Sequence, residues 1–291
     1  MSKKQTAALV VGSTVASLVG TALVLRHQAI QTRKRIGPRR GGAPFADGRY
    51  GDPLGIADRL IVLGDSGAVG LGAPDPEHTM GAVVARGWVA ATNRPIRLAT
   101  AAVVGGRTRD LADQLARVRS LKPTHALIIV GANDVTHFDN PRRCARELGR
   151  IVRELVDSGA DVIVGTCPDV GASPQAPWLL GSVGTALATT MARVQTSEVR
   201  RAGGIPVPLA ELLAPAFTLV SERMFGEDGF HPSGEGYMTA GLFLLQGLMD
   251  AHDLPMPTLA QIEAVPGPSG EGAAYRRAMT PHPLPPAPDT N

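Results

Sequence analysis

The chain has 291 residues, of which 44% are hydrophobic, and a formal net charge of +3. This is enough apolar sequence for one domain of roughly 200 residues with a complete core. The charge is concentrated at one end, because residues 1–40 hold eight Lys and Arg and no acidic residue, which leaves the rest of the chain at −5. The body of the chain is therefore not basic, and we expect no nucleic-acid partner.

An uncharged segment near the N-terminus is long enough to cross a membrane. Residues 5–25 carry no charged side chain, and the apolar part over residues 7–25 matches the length of a membrane-spanning helix. No small-residue cleavage site precedes the basic flank, so we predict an uncleaved membrane anchor over residues 1–27. The excess of Lys and Arg after the span favours a cytoplasmic domain. The short basic N-tail instead resembles an export signal-anchor, and the sidedness stays open.

Two further segments flank the predicted domain. Residues 28–54 are rich in Arg, Gly and Pro, and we interpret them as a basic linker near anionic lipid headgroups. Residues 254–291 contain nine of the 24 prolines and few large apolar side chains, which predicts a disordered tail. The domain itself is thus predicted over residues 55–253.

Short β-rich runs alternate with helical patterns inside these limits. The predicted strands cover residues 60–63, 96–99, 126–130, 162–164 and 205–207. Their continuous apolar character is typical of a parallel sheet covered on both faces. Periodicity and capping residues predict helices over residues 111–118, 141–158, 183–201 and 233–251. This order predicts a flavodoxin-like, three-layer α/β/α sandwich with a five-stranded parallel sheet, which binds ligands at the carboxyl ends of its strands.

The two cysteines do not form a recognisable metal or redox motif. Cys144 and Cys167 are far apart in sequence and belong to no CxxC pair. We therefore expect buried thiols and predict neither a metal nor a cofactor. A disulfide stays open if the domain faces an oxidising compartment.

A serine and an Asp/His pair occupy loops at the carboxyl edge of the predicted sheet. Ser66 follows the first strand in the sequence LGDSG, where a turn exposes its hydroxyl group. Asp228 and His231 lie three residues apart in the sequence DGFH, so that one loop can supply a base and the acid that orients it. Each residue is ordinary alone, but together they predict a serine hydrolase. The G-x-S-x-G turn is not present, since Ala68 stands at the second glycine position.

Two more loops at the same edge carry hydrogen-bond donors. Gly105 and Gly106 follow the second strand, where glycine lets a backbone N–H approach a reacting oxygen closely. Asn133 follows the third strand in the sequence GAND and offers a side-chain amide. Glycine and asparagine are common in tight turns, so the order of these loops along the chain carries the prediction.

These blocks together resemble those of the SGNH, or GDSL-type, hydrolase superfamily. They follow the family's order over residues 60–240: GDS at 64–66, a glycine at Gly105, GAND at 131–134 and DGFHP at 228–232. Gly67 departs from the leucine of many members, and the tandem glycines leave the choice between Gly105 and Gly106 open. The N-terminal segment and the tail lie outside the resemblance.

The resemblance implies a role for each motif residue. Ser66 is implied as the nucleophile, His231 as the base and Asp228 as the acid that orients the imidazole. The backbone N–H groups of Ser66 and Gly105 and the side-chain amide of Asn133 are implied to stabilise the oxyanion.

The implied activity is that of an esterase, which cleaves carboxylic esters through an acyl-enzyme intermediate. One alternative is an O-acyltransferase or deacetylase acting on cell-envelope glycans or lipids. Another is a non-catalytic membrane-anchored scaffold, which the complete residue set disfavours. We expect a small-molecule or lipid/glycan ester as substrate; its acyl length and alcohol and the oligomeric state of the protein stay open.

Three features near the motifs have two interpretations each. Residues 168–180, with Trp178, form part of the acyl or alcohol pocket or a packed loop. Arg107 stands beside the glycine block, where a solvated or salt-bridged arginine is favoured over one that binds an anionic substrate. His137 is interpreted as a surface residue or as one that lies just behind the reacting groups.

Overall fold

The computed structural model describes residues 43–269, together with Gly20, Val24, His27, Gln28 and Gln31. Within these residues, six strands form one sheet: β1 Gly48–Tyr50, β2 Asp58–Gly64, β3 Ile96–Thr100, β4 His125–Ile129, β5 Asp161–Gly165 and β6 Ile205–Val207. The strand order is β1-β3-β2-β4-β5-β6, and β2 to β6 are mutually parallel. The five predicted strands are confirmed, but the sheet is mixed because β1 runs antiparallel to β3.

Strand β1 corrects the predicted linker over residues 28–54. Its register pairs Tyr50 with Ile96, and the Tyr50 ring is completely buried, with its hydroxyl group donating to the carbonyl of Ala46 at 2.6 Å. The strand has only three residues, two of them Gly and Arg, so it lacks the apolar run that marks a strand in sequence. The domain therefore begins before residue 55.

Helices cover both faces of the sheet. Among the described residues they are α1 Ser66–Val69, α2 Met80–Thr92, α3 Leu111–Val118, α4 Ala132–Thr136, α5 Pro141–Asp157, α6 Trp178–Arg201, α7 Leu209–Leu219, α8 Ser221–Met224, α9 Gly234–Ala251 and α10 Leu259–Ala264. The four predicted helices are present. Helix α2 escaped prediction because it is buried on nearly all sides and has no polar face, and α7 because Pro215 interrupts its pattern.

The side chains of β2 show how the three layers are joined. Leu60 and Val62 point into the core shared with α2, α7 and α9, whereas Ile61 and Leu63 point into the core shared with α3 and α5. This alternation follows from the two-residue period of a strand. The predicted three-layer arrangement is therefore correct.

The start of the predicted tail is part of the folded domain. Thr258 caps α10, and Ile262 on that helix is completely buried in the core on the α2 side. Arg86 of α2 is also buried and donates to the carbonyls of Glu263 at 2.7 Å and Val265 at 3.0 Å. The prediction of disorder over 254–291 is thus wrong for residues 254–269, and the later residues lie outside the described part of the chain.

The predicted anchor over residues 1–27 and most of the linker that follows it lie outside the described residues. Among the helices that are described, none combines the length and apolar character needed to cross a bilayer. The anchor and the side of the membrane that the domain occupies stay predictions.

Candidate active site

Ser66 is presented at the carboxyl edge of the sheet by a turn that requires glycine. At Gly64, the last residue of β2, φ is +136°, and an added Cβ would lie 1.8 Å from the carbonyl oxygen of Ile129. The next residue, Asp65, caps α1 by accepting the N–H of Gly67 at 2.9 Å. Ser66 is therefore the first residue of a short helix that begins directly after the central strand.

The loop that carries Asp228 and His231 brings both side chains to Ser66. One carboxylate oxygen of Asp228 accepts the backbone N–H groups of Phe230 at 3.0 Å and His231 at 2.9 Å, which closes the turn. The other oxygen lies 2.7 Å from Nδ1 of His231, and Nε2 of His231 lies 3.0 Å from Oγ of Ser66. The structure thus joins the three predicted residues in one continuous chain of contacts.

The surroundings keep Asp228 ionised. Burial disfavours its charged form, but hydrogen bonds from the His231 ring and from the backbone N–H groups of Phe230 and His231 outweigh this effect and hold the pKa of Asp228 well below its usual value. An ionised Asp228 assigns the proton to Nδ1 of His231. Nε2 is then the acceptor that faces the Ser66 hydroxyl group.

The glycine and asparagine loops meet beside Ser66. Gly105 adopts a φ of +79°, which favours glycine, and lines the same cavity as Ser66 and Asn133. The N–H of Gly106 is used within its own turn, where it donates to Val103 at 2.8 Å. Of the two glycines that the sequence left open, Gly105 is therefore the one that faces the cavity.

Asn133 lies in the first turn of α4, directly after β4. Its Nδ2 donates to the carbonyl oxygen of Gly106 at 3.1 Å, which ties the asparagine loop to the glycine loop. An amide nitrogen carries two hydrogens, so this bond fixes the side chain and uses only one of them.

Sequence reasoning missed the buried polar residues that hold these loops together. The Asp134 carboxylate accepts the backbone N–H of Thr108 at 3.1 Å and its hydroxyl group at 3.0 Å. Gln114 bonds both the N–H and the carbonyl of Gly64, at 2.7 and 2.8 Å. Gln195 likewise bridges Cys167 and Val130. Gln114 and Gln195 left a signal, because each falls on the buried apolar face of its helix, where a polar residue is unexpected.

Asp65 is a buried carboxylate next to the serine. Its Oδ2 has no hydrogen-bond partner among the described residues. Burial raises its pKa to about 7; the N–H of Gly67 partly opposes the shift, and the nearby Asp134 charge adds to it. The site therefore contains one carboxyl group that ionises only near neutral pH.

Ser66 and His231 line two cavities. The larger has a volume of about 490 Å³, and its wall includes Gly105 and Asn133. None of the described residues that line it is Lys, Arg, Asp or Glu. The smaller, of about 140 Å³, extends toward α7 and includes Phe217. The larger cavity thus combines a mostly apolar wall with the polar groups of the motifs.

The structure places the three features that had two interpretations each: residues 168–180, Arg107 and His137. Residues of the 168–180 segment, among them Val170 and Ser173, line both cavities, whereas Trp178 is 83% exposed and lines neither. Arg107 is paired with Asp139 at 3.0 Å, as the salt-bridged interpretation predicted. His137 lines the mouth of the larger cavity, and its Nδ1 lies 2.7 Å from the carbonyl oxygen of Asn133.

The cysteines are buried free thiols, as expected. Burial and the neighbouring Asp134 raise the pKa of Cys144 to about 12, and burial also raises the pKa of Cys167. A protonated thiol is a poor nucleophile, so neither cysteine is a candidate for that role.

In this α/β/α sandwich the serine directly follows β2, and the aspartate and histidine that contact it share one loop, an arrangement that fits the SGNH class. Comparison of the sequence with protein families agrees, since the model of the GDSL-like lipase/acylhydrolase family matches residues 62–238. The chain belongs to this family, and its recognition as an SGNH/GDSL-type esterase is confirmed. A relative described as the GDSL-like esterase Rv1075c of Mycobacterium tuberculosis is 36% identical over 267 residues, which cover 86% of this chain and 85% of the relative.

Solved structures share the fold. The lipase/acylhydrolase from Enterococcus faecalis aligns with a TM-score of 0.52 and 19% identity, over 70% of this chain and 100% of that chain. A catalytic mutant of Axe2, an acetylxylan esterase from Geobacillus stearothermophilus, aligns with a TM-score of 0.51 and 20% identity, over 68% and 96% of the two chains. At such identities the likeness shows the architecture alone.

Proposed function

We propose that the protein hydrolyses carboxylic esters through an acyl-enzyme on Ser66, with His231 as general base and Asp228 as the acid that orients it. The observation that carries this proposal is the chain of contacts at the cavity wall. It runs from Oγ of Ser66 to Nε2 of His231 at 3.0 Å and from Nδ1 to Asp228 at 2.7 Å. Nucleophile, base and orienting acid at these distances are the arrangement that activates a serine hydroxyl group.

In the first half-reaction Oγ of Ser66 attacks the ester carbonyl carbon while Nε2 of His231 takes the hydroxyl proton. The negative charge that develops on the carbonyl oxygen is stabilised by the N–H groups of Ser66 and Gly105 and by the second amide hydrogen of Asn133. His231 then gives its proton to the departing alcohol, which leaves the acyl group on Ser66. Water, deprotonated by His231, attacks this ester and releases the acid.

The walls of the larger cavity favour a neutral ester with an apolar group. Val183 and Leu187 of α6 and Val135 of α4 line it, and a volume of about 490 Å³ is in the range of small-molecule sites. Among the described residues, the wall offers no Lys or Arg for a phosphate or carboxylate group. An ester of a short or medium acyl chain therefore fits this surface better than an anionic substrate.

The serine is tested by measuring hydrolysis of p-nitrophenyl acetate and butyrate by the full-length protein in mild detergent. We expect Ser66→Ala to lower kcat by at least about 10³-fold. Ser120→Ala, which alters an exposed serine outside both cavities, should keep the wild-type rate. A fluorophosphonate should label the wild type and not Ser66→Ala. Equal hydrolysis by wild type and Ser66→Ala would exclude the proposed nucleophile.

The same acyl-enzyme serves transfer when an alcohol reaches it before water does. Adding glycan and glycerol acceptors to the assay separates the two outcomes, because transfer yields a new ester. We expect free acid as the main product at every acceptor concentration. A new ester that replaces the acid would assign the protein to the acyltransferases while keeping the role of Ser66.

A further inference from the structure

A second group of chemically active side chains lies at the opposite edge of the sheet. His125 is the first residue of β4, Asp161 is the first residue of β5, and the register of the two strands places them side by side. His252 directly follows the last turn of α9. Three segments far apart in sequence thus bring two imidazoles and one carboxylate together.

The distances in this group are short. Oδ2 of Asp161 lies 3.1 Å from Nδ1 of His125 and 3.1 Å from Nε2 of His252. Each residue offers one possible metal-ligand atom, and these three atoms lie within 4.8 Å of one another. His125 is buried, whereas Asp161 and His252 are partly exposed, so the group is open to solvent from one side.

We propose that His125, Asp161 and His252 form a binding site for Zn²⁺. Two imidazole nitrogens and one carboxylate oxygen are a ligand set that zinc accepts, with water as the fourth ligand. Ligand atoms in a tetrahedral zinc site with bonds of roughly 2.0–2.1 Å are about 3.3 Å apart. The two observed separations of 3.1 Å need to widen by only a few tenths of an ångström.

His125 supports a bridging ion over a simple hydrogen bond. Its Nδ1 is close to Asp161 but does not meet the geometry of a hydrogen bond, and its Nε2 has no hydrogen-bond partner among the described residues. The ring is held in place by Trp88, whose centroid lies 4.5 Å away and which also packs on His252 at 5.1 Å. A buried, fixed imidazole with an unused nitrogen facing a carboxylate is preorganised for a metal ion.

The charges around the group permit a cation. Arg94, which lies over the Trp88 ring, is paired with Asp58 at 2.6 Å. Asp161 supplies a carboxylate oxygen to the group, and a carboxylate is an ordinary zinc ligand. The group therefore presents one carboxylate oxygen and two imidazole nitrogens to a cation.

A second cluster of possible ligands, Asp134 with Asp139 and Cys144, is less suited to a metal. The carboxylate of Asp134 already accepts bonds from Thr108 and from the Cys144 thiol. Asp139 is paired with Arg107. Binding a cation there would break several existing contacts, whereas the His125 group has an unused ligand atom.

The proposed ion would act on stability and not on ester chemistry. Helix α9 begins three residues after His231 and has 18 residues, so His252 lies about 27 Å along the helix from the loop that carries the base. A zinc ion there would pin the end of α9 to β4 and β5. This site departs from the sequence-based expectation of no metal, because its three ligands are separated by 36 and 91 residues and form no motif.

The test uses the untagged full-length protein, stripped with a chelator, and follows ZnCl₂ binding by calorimetry and by thermal unfolding. We expect one equivalent to bind and to raise Tm by about 5 °C or more at saturation. His252→Gln and Asp161→Asn should each weaken binding at least about tenfold. The matched control is His78→Gln, which alters another His paired with an Asp at 2.8 Å, in a pair that has no third ligand among the described residues. It should bind zinc as the wild type does.

Three results would overturn the site. One is the absence of a stoichiometric heat and of a Tm shift, which would leave the group as a hydrogen-bonded cluster. Another is unchanged zinc affinity in both His252→Gln and Asp161→Asn, which would place the ion elsewhere. The third is an equal response to MgCl₂, because a hard cation that prefers oxygen ligands would indicate nonspecific binding. Ester hydrolysis by His252→Gln is expected to match the wild type, so the outcome is independent of the proposed reaction.

Discussion

Asn133 is held by one hydrogen bond and, in the proposed mechanism, uses its second amide hydrogen on the oxyanion. Asn133→Ala removes that donor and the 3.1 Å contact with Gly106. We expect kcat to fall by ~10²–10³-fold, since an oxyanion donor acts most strongly in the transition state. Steady-state kinetics with a chromogenic ester, together with Tm, measure the effect. A variant with the wild-type rate would remove Asn133 from the mechanism.

Asn140 provides a control, because its loss should affect stability and not the rate. Its side chain caps α5 by accepting the N–H of Arg143 at 3.1 Å, and it lines neither cavity. Asn140→Ala should cost about 1 kcal/mol of stability and leave kcat unchanged. Loss of rate in both variants would point to a general loss of folding.

Asp65 links the protonation of one buried carboxyl group to the stability of the fold. Its folded pKa of about 7 lies above the ordinary value of 3.8, so the folded state binds the proton more tightly than the unfolded state does. The contribution of this group to stability is therefore most favourable at low pH. It declines as pH rises from about 4 to about 7, and the full penalty remains above that range.

Asp65→Asn tests this linkage. Asparagine keeps an oxygen that can cap α1 but does not ionise. We expect the Tm of the variant, relative to wild type, to be higher at about pH 8.5 than at about pH 5, because only the wild type has to bury a charge at high pH. Thermal unfolding at the two pH values measures the difference. An equal difference at both would mean that Asp65 does not titrate in this range.

The residues that we propose to react were easier to predict than those that hold them in place. Ser66, Asp228 and His231 stand in short motifs whose spacing reflects their chemistry. Asp134 and Gln114 act through burial and through contacts with distant loops. The apolar face of α3 marks Gln114 as a polar residue in a buried position, but the sequence does not show what either side chain contacts. These contacts emerge only when the chain is folded.

Helix α10 shows how a short element contributes to a core. Ile262 is fully buried beside α2, whereas Leu259 on the same helix is 47% exposed. Ile262→Ala should lower the free energy of unfolding by about 2–4 kcal/mol because it leaves a cavity. Leu259→Ala should cost less than about 1 kcal/mol. Chemical denaturation measures both values; similar small losses would mean that α10 does not dock stably.

Strand β1 and helix α10 were mispredicted for the same physical reason. Strand β1 and helix α10 are short and lie in segments rich in Gly or Pro, so local composition favours a linker or a tail. Tyr50 and Ile262 are ordered because β3 and α2 bury them. Long elements such as α5 carry their own apolar period and caps, and they were predicted almost to the residue.

At the scale of the whole molecule, helix α9 connects the two edges of the sheet. The loop before it carries His231, and the residue after it is His252. Leu244, Leu245 and Leu248 of this helix are completely buried in the core between these ends. The proposed ester site and the proposed zinc site therefore lie at opposite ends of the same buried helix.

The N-terminal segment gives the prediction that concerns the full chain. Residues 7–25 are apolar and uncharged, so we expect the full-length protein to stay with membranes after an alkaline carbonate wash. Val15→Arg combined with Leu18→Arg puts two charges at the centre of the span, at a cost of roughly 2.5–3.5 kcal/mol each, and should release the protein. Gln31→Arg with Thr32→Arg adds the same charge beyond the span and should not. We propose that residues 43–269 carry out hydrolysis, so the released protein should keep its esterase activity. Wild-type protein found in the wash would refute the anchor.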